Sequence, residues 1–206
     1  MTRKSEKDWI EAGFSALLDV GREGLAAERL AARLGVTRGS FYHHFGSASG
    51  YAHALLTEWQ RRSTEQVIAF SRDGGTVDQQ AHRLNAAVLG VHHNLDVAIR
   101  AWAFRDKIAQ SYQAQVDALR ISYLKEIYTE LLGDKRAAQI ASEVVYLSFV
   151  GLQQVYPHAP KSRWEAMINE ARATVMGGAA SATVLARRTA RVKIRQSAQA
   201  RKQRKK

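Results

Sequence analysis

Only two prolines, Pro157 and Pro160, stand in a chain of 206 residues. Proline removes a backbone donor and clashes with the preceding helical turn, so its scarcity lets helices run uninterrupted. Residues in β-branched or aromatic alternation are few, while Ala, Leu, Arg, Glu and Gln are abundant. An all-α fold is expected. At 46% hydrophobic, the chain can bury a sizeable core. It contains no cysteine, which removes disulfides and thiolate metal sites and fits a reducing cytoplasm. The opening "MTRKSEKDW" has no apolar leader segment, and no apolar run approaches the ~18–20 residues that span a bilayer. A soluble, cytoplasmic protein with no membrane partner is expected.

Helix punctuation is legible along the chain. A first helix is expected over 5–20, with Ile10, Phe14, Leu17 and Leu18 on one face and Gly21 as its end. A short second helix holds Leu30, Ala31 and Leu34 and ends at Gly35, where a left-handed residue is wanted. Thr37 has the position and chemistry of an N-cap for a brief third helix, on which Phe41 and Phe45 share a face. A fourth helix is expected over 47–70. Thr76 with Gln79, and Ser162 with Glu165, have capping-box spacing and open a fifth helix and the last large one, over 162–176. Helices near 95–105, 108–132 and 134–156 fill the interval, with Gly133 and the Gly177-Gly178 pair as stops. The division follows: a head over 1–46, a helical body over 47–178 and a basic tail over 179–206.

The stretch "GVTRGSFYHHF", residues 35–45, bears on function. Helix, glycine turn and short helix make the helix-turn-helix unit, whose second helix lies in the DNA major groove. Thr37 caps that helix and offers its hydroxyl to phosphate. Arg38 presents a forked donor suited to guanine O6 and N7. Gly39 lets the backbone approach the duplex, and Ser40 bonds phosphate or a base. Tyr42, His43 and His44 supply hydroxyl and imidazole donors to the nucleic-acid backbone, while Phe41 and Phe45 anchor the helix. Adjacent helical residues point about 100° apart, so His43 and His44 do not converge on one metal or substrate.

The run "ERLAARLGVTRGSFYHHFGS", residues 28–47, resembles the tetracycline-repressor (TetR) family of bacterial transcriptional regulators. The matching positions are Leu30, Ala31, Gly35, Val36, the Gly39-Ser40-Phe41-Tyr42 run, His44 and Phe45. Looser likeness follows in "ALLTEW" (54–59) and "AIRAWAFRD" (98–106). The resemblance implies a three-helix DNA-binding head joined through the fourth helix to an effector-binding and dimerisation body. It places the DNA contacts at Thr37, Arg38, Gly39, Ser40, Tyr42, His43 and His44. The partners it implies are a double-stranded DNA operator, a small-molecule effector and a second copy of the chain. Two positions depart from the family's pattern. A phosphate-touching threonine or serine opening the second helix, and a lysine near the start of the fourth, are here Ala26 and Ala48.

Two features of the body bear on assembly and sensing. Between Ala137 and Tyr156, Glu143 is the one charged residue. A helix apolar nearly all round must be covered on all sides. Val144, Leu147, Gly151 and Leu152, with Trp164 and Ile168 of the last helix, are therefore candidates for a subunit interface. A central core helix in a monomer is the alternative. By the family resemblance the effector site lies inside the body, with Trp102, Tyr112, Tyr123, Tyr146, Phe149 and Gln153 as candidate linings. Plain core explains such an aromatic stripe as well.

Ten of the 31 Lys and Arg residues lie between Arg187 and Lys206, and no acid follows Glu170. The tail is either a solubilising extension or an arm that binds polyanions by counterion release. His92 and Asp96 share a helical face, but no third ligand accompanies them, so no metal or other cofactor is expected. No nucleophile-elbow, zincin, dinucleotide or phosphate-loop motif occurs. A ligand-responsive repressor on a pseudo-palindromic operator is the leading expectation, and no enzyme. Its rivals are an architectural nucleic-acid binder led by the tail and a helical-bundle enzyme using the His92–Asp96 region.

Overall fold

Each expected helix forms, and local chemistry sets its ends. The computed structural model describes residues 4–90 and 93–178, and among these the secondary structure is helical with no strand. The basic tail and His92 therefore lie outside the described residues. In α1 (Glu6–Val20) the Ser5 hydroxyl accepts from the Asp8 backbone N–H while the Asp8 carboxylate accepts from the Ser5 N–H at 2.7 Å. A short 3₁₀ turn leads to α2 (Ala27–Leu34), which ends at Gly35 with φ 66°, the left-handed geometry expected there. α3 (Arg38–Phe45) begins after Thr37, whose backbone is extended as a cap requires. Its hydroxyl, however, makes no cap bond among the described residues; the Thr37 carbonyl takes the Ser40 N–H at 3.0 Å instead. The cap is thus a backbone device, and the hydroxyl stays exposed.

α4 (Ala48–Gln60), a π turn over Arg61–Glu65 and α5 (Gln66–Ser71) run as one rod, because backbone at both joins stays helical. A π turn widens the spiral by one residue and loosens the regular hydrogen-bond ladder. Arg120 fills the gap, donating to the Ser63 carbonyl at 3.2 Å and to the hydroxyls of Ser63 and Thr64 at 3.1 and 3.0 Å. α6 (Val77–Val88) opens with the expected Thr76–Gln79 capping box. α7 (His93–Ala103), α8 (Lys107–Leu132) and α9 (Lys135–Val155) follow, the last two capped by Asp106 and Asp134. α10 covers 161–178, one residue earlier than expected, so Ser162 sits inside the first turn and not at the cap. The Pro160 carbonyl accepts from Arg163 and Trp164, and proline's fixed φ suits that entry.

One core runs from head to body. Trp9, Leu17, Leu30, Phe41, Tyr51, Leu55, Trp59, Ile99, Trp102 and Val116 belong to a single packed cluster. Gly13 lets this core close: a Cβ there would overlap the Tyr51 hydroxyl, which donates to the Trp9 carbonyl at 2.9 Å. Burial also pushes the Tyr51 phenol up, so it stays protonated. α8 and α9 pack along each other and carry the body. No described helix is long and apolar enough to cross a membrane.

α9 is not covered all round. Leu152, Trp164 and Ile168 form a core cluster within the chain itself, with Trp164 stacked on His93 at 4.4 Å. This corrects their assignment to a subunit interface. Apolar composition announced that α9 is covered but not which face its own chain covers. The outward face carries Ile140, Val144, Leu147 and Val155, all exposed, with Gly151 half-buried beside them.

Candidate nucleic-acid interface and ligand cavity

The head presents one side of α3 by burying the other. Phe41 is fully buried, with its ring 5.5 Å from Trp9 and 5.0 Å from Tyr51. Phe45 packs beside it at 5.4 Å. With this face fixed, Thr37, Arg38, Gly39, Tyr42 and His43 point to solvent and Ser40 is half-buried. Space above Gly39 is open, since an added Cβ would approach only the Thr37 hydroxyl, at 3.8 Å. The Arg38 guanidinium pairs with Glu28 of α2 at 2.7 Å and lies 5.3 Å from the Tyr42 ring centre. The Tyr42 hydroxyl, and then Glu28, raise the Arg38 pKa further. Both partners are 60% exposed, so the pair orients Arg38 yet stabilises little and yields readily to a stronger acceptor.

His44 behaves differently from its neighbours. Its Nε2 lies 3.0 Å from the Lys4 carbonyl, and its ring sits 6.4 Å from Trp9 and 5.9 Å from Phe45. The imidazole ties the entry of α1 to α3. That contact engages one ring nitrogen and leaves the imidazole half-exposed on the same helix as the other expected DNA contacts.

Behind the head, the π turn, α5, α6, α7, α8, α9 and α10 line a cavity of about 880 Å³, counting its solvent-open mouth. Val67, Ile68, Leu84, Val88, Leu124 and Ile127 make its walls apolar. Its polar end is a buried ion pair. Asp96 on α7 accepts from Arg120 at 2.8 Å, from the Trp59 indole N–H at 2.7 Å and from the Gln153 amide at 3.1 Å. Burial opposes the Asp96 charge, but Arg120 and these donors outweigh it and hold the carboxyl below its usual range. A second pair lies nearby: Arg100 binds Asp117 at 2.8 Å, and the Tyr146 hydroxyl donates to the same carboxylate at 2.6 Å. Burial pushes Tyr146 up to about 12.

Residues 10–49 match the sequence profile of the bacterial regulatory proteins of the tetR family. The chain carries a tetR-family head. No curated protein sequence matches the chain. Among solved structures it is similar to a TetR-family transcriptional regulator from Marinobacter aquaeolei VT8, at 12% identity over 86% of this chain and 98% of that one, with a TM-score of 0.66. A transcriptional regulator from Aquifex aeolicus VF5 is similar at 15% identity over 80% and 95%, with a TM-score of 0.64. The ketosteroid transcriptional regulator KstR2 of Mycobacterium tuberculosis is similar at 16% identity over 86% and 96%, with a TM-score of 0.61. Such likeness is one of fold. The family is one of transcriptional regulators and not of enzymes.

On this TetR-like frame the expected effector linings separate. Tyr123, Tyr146 and Phe149 stand on the cavity wall. Gln153 is buried behind it, holding Asp96. Trp102 packs into the core that joins head and body, and Tyr112 hydrogen-bonds Thr57 of α4 at 2.8 Å. Trp102 thus belongs on α7 to the core shared with the head, and Tyr112 to the contact between α4 and α8, a correction to their place among the linings. Asp96 is committed to the ion pair, and no group of three or more metal-ligand side chains occurs among the described residues. At the two departures from the family pattern, Ala26 precedes α2, and α4 is capped by Ser47, whose hydroxyl accepts from Gly50 at 2.9 Å. Arg120, Ser63, Thr64 and Arg172 escaped the sequence reading. Arg172 alone left a trace there: on its helix no acid stands three or four residues away.

Proposed function

We propose that this protein is a cytoplasmic, ligand-responsive repressor that binds a pseudo-palindromic operator as a homodimer and is released by a small molecule. The head over 1–46 reads DNA through Thr37, Arg38, Gly39, Ser40, Tyr42, His43 and His44. The body over 47–178 senses the ligand and dimerises. One observation carries this reading: the rod that leaves the head forms the polar end of the cavity. Trp59, Ser63 and Thr64 of that rod bond directly to Asp96 and Arg120, so a ligand there touches the element that orients α3. The exposed stripe of Ile140, Val144, Leu147 and Val155 supports a second copy packing on α9. Two-fold pairing would set two α3 helices ~34–36 Å apart, the spacing of successive major grooves.

Selection of bound sequences from random duplex DNA tests the reading. A paired half-site motif is the expected result. Equal affinity for every duplex, unchanged when the body binds a small molecule, would favour an architectural binder acting through residues 179–206.

A further inference from the structure

The cavity wall holds an unbalanced positive charge. Among its lining residues Asp96 is the one carboxylate, and it is consumed by Arg120, Trp59 and Gln153. Arg172 of α10 is half-buried on the same wall. No carboxylate lies within ion-pair distance of it among the described residues. It faces the phenol of Tyr128, another lining residue, and restrains the upward shift that burial imposes there. The Tyr128 oxygen accepts from the guanidinium, and the rest of that fork and the phenolic O–H have no carboxylate beside them among the described residues. They suit a carboxylate, which takes two parallel N–H bonds from arginine.

The distance between the two polar ends sets the ligand's length. Arg120 and Tyr128 both lie on α8, eight residues apart, which is about 12 Å along a helix. Leu124 and Ile127 fill the interval, facing Val67, Ile68, Leu84 and Val88 across the cavity. We propose that the cavity binds an unbranched or slender carboxylate whose apolar body is about 12 Å long, with its anionic head on Arg172 and Tyr128. A cationic ligand would meet only the satisfied Asp96, and a neutral one would leave the Arg172 charge uncompensated. As the identity of the effector, this rests on the ligand-responsive reading above; as a statement of what binds, it stands alone.

Isothermal titration of the full chain with decanoate, decanol and decyltrimethylammonium tests it. Decanoate should bind at least about tenfold more tightly than decanol, and the cation should not bind. In Arg172→Gln, decanoate should fall to the decanol value while decanol affinity stays put, the latter confirming an intact cavity. Arg172→Lys, which keeps the charge but loses the fork, should fall between. Decanol or the cation matching decanoate would overturn the proposal, as would an unchanged preference in Arg172→Gln or no binding by any probe. Operator affinity is read separately. Release by a neutral or cationic compound keeps the proposed function and sinks the carboxylate. Tight decanoate binding that leaves operator affinity unmoved keeps the carboxylate and sinks the release mechanism.

Discussion

Removing the Asp96 carboxylate should be the most damaging single change in the body. Its side chain is 6% exposed and that of Arg120 is 13% exposed, so Asp96→Ala strands a buried guanidinium without a counter-charge. Breaking one partner of a buried pair costs about 3–5 kcal/mol. The Trp59 indole and Gln153 amide lose their acceptor in the same stroke, at about 1–3 kcal/mol each, though these losses overlap with the first. Against a total stability of about 5–15 kcal/mol, the variant loses about a fifth of it or more. The double variant Asp96→Leu/Arg120→Met replaces the pair with apolar groups of similar size and should recover most of the loss. Urea unfolding at neutral pH measures both. The pH dependence has a definite sign. Because folding holds Asp96 below its usual range, its contribution is present above the unfolded carboxylate pKa of about 3.9 and is lost as pH falls through the lower folded value. Wild-type stability should therefore fall below about pH 4 more steeply than that of the double variant. A loss under about 1 kcal/mol in Asp96→Ala, or a double variant as unstable as the single one, would refute the account of the pair.

Arg38→Ala should cost about 1–3 kcal/mol of operator binding and flatten preference at one position of each half-site, and equal weakening on all sequences would make Arg38 a phosphate contact. Glu28→Gln frees Arg38 from its 2.7 Å partner and should blur that same position without unfolding the head, as a panel of single-base operator variants would report. Leu147→Glu, on the exposed face of α9, should give a folded monomer by sedimentation, whereas Leu152→Glu, buried against Trp164, should unfold the chain by several kcal/mol. Gly13→Ala should destabilise by about 1–3 kcal/mol, and Tyr51→Phe in the same chain should restore part of it by withdrawing the hydroxyl from the added methyl. Thermal melts of the two variants check that pair.

What the sequence disclosed was local. Gly35, the Thr76–Gln79 box and the Phe41–Phe45 face all depend on residues within four of one another, and each forms as expected. The tie from His44 was not legible, because its partner, the Lys4 carbonyl, is forty residues away and leaves no spacing to find. The same holds for Asp96 with Arg120, and for Trp102, which joins a core cluster shared with the head. The π turn carries no compositional mark, since Arg61 to Glu65 would sit equally well in a regular helix. α9 was legible as covered, but the division of its faces depends on where α8 and α10 lie, which is a tertiary fact.

The continuity of the core bears on how little energy the proposed switch requires. A hundredfold change in operator affinity corresponds to about 2.7 kcal/mol. A hydrogen bond to a charged group contributes about 1.5–3 kcal/mol, so the single bond from Trp59 to Asp96 spans the whole requirement if it is made in one tilt of the rod and lost in the other. Arg120 extends the same leverage, because its bonds to Ser63 and Thr64 grip the rod at the one place where its own ladder is loosened. A ligand need not push the head. It need only bind better when these bonds are arranged one way, and the operator must then disfavour that ligand by the same factor. The head is joined to the cavity by packed side chains and not by a flexible linker, so a change of rod angle reaches α3 through Leu55, Tyr51 and Phe41, each fully buried against the next element.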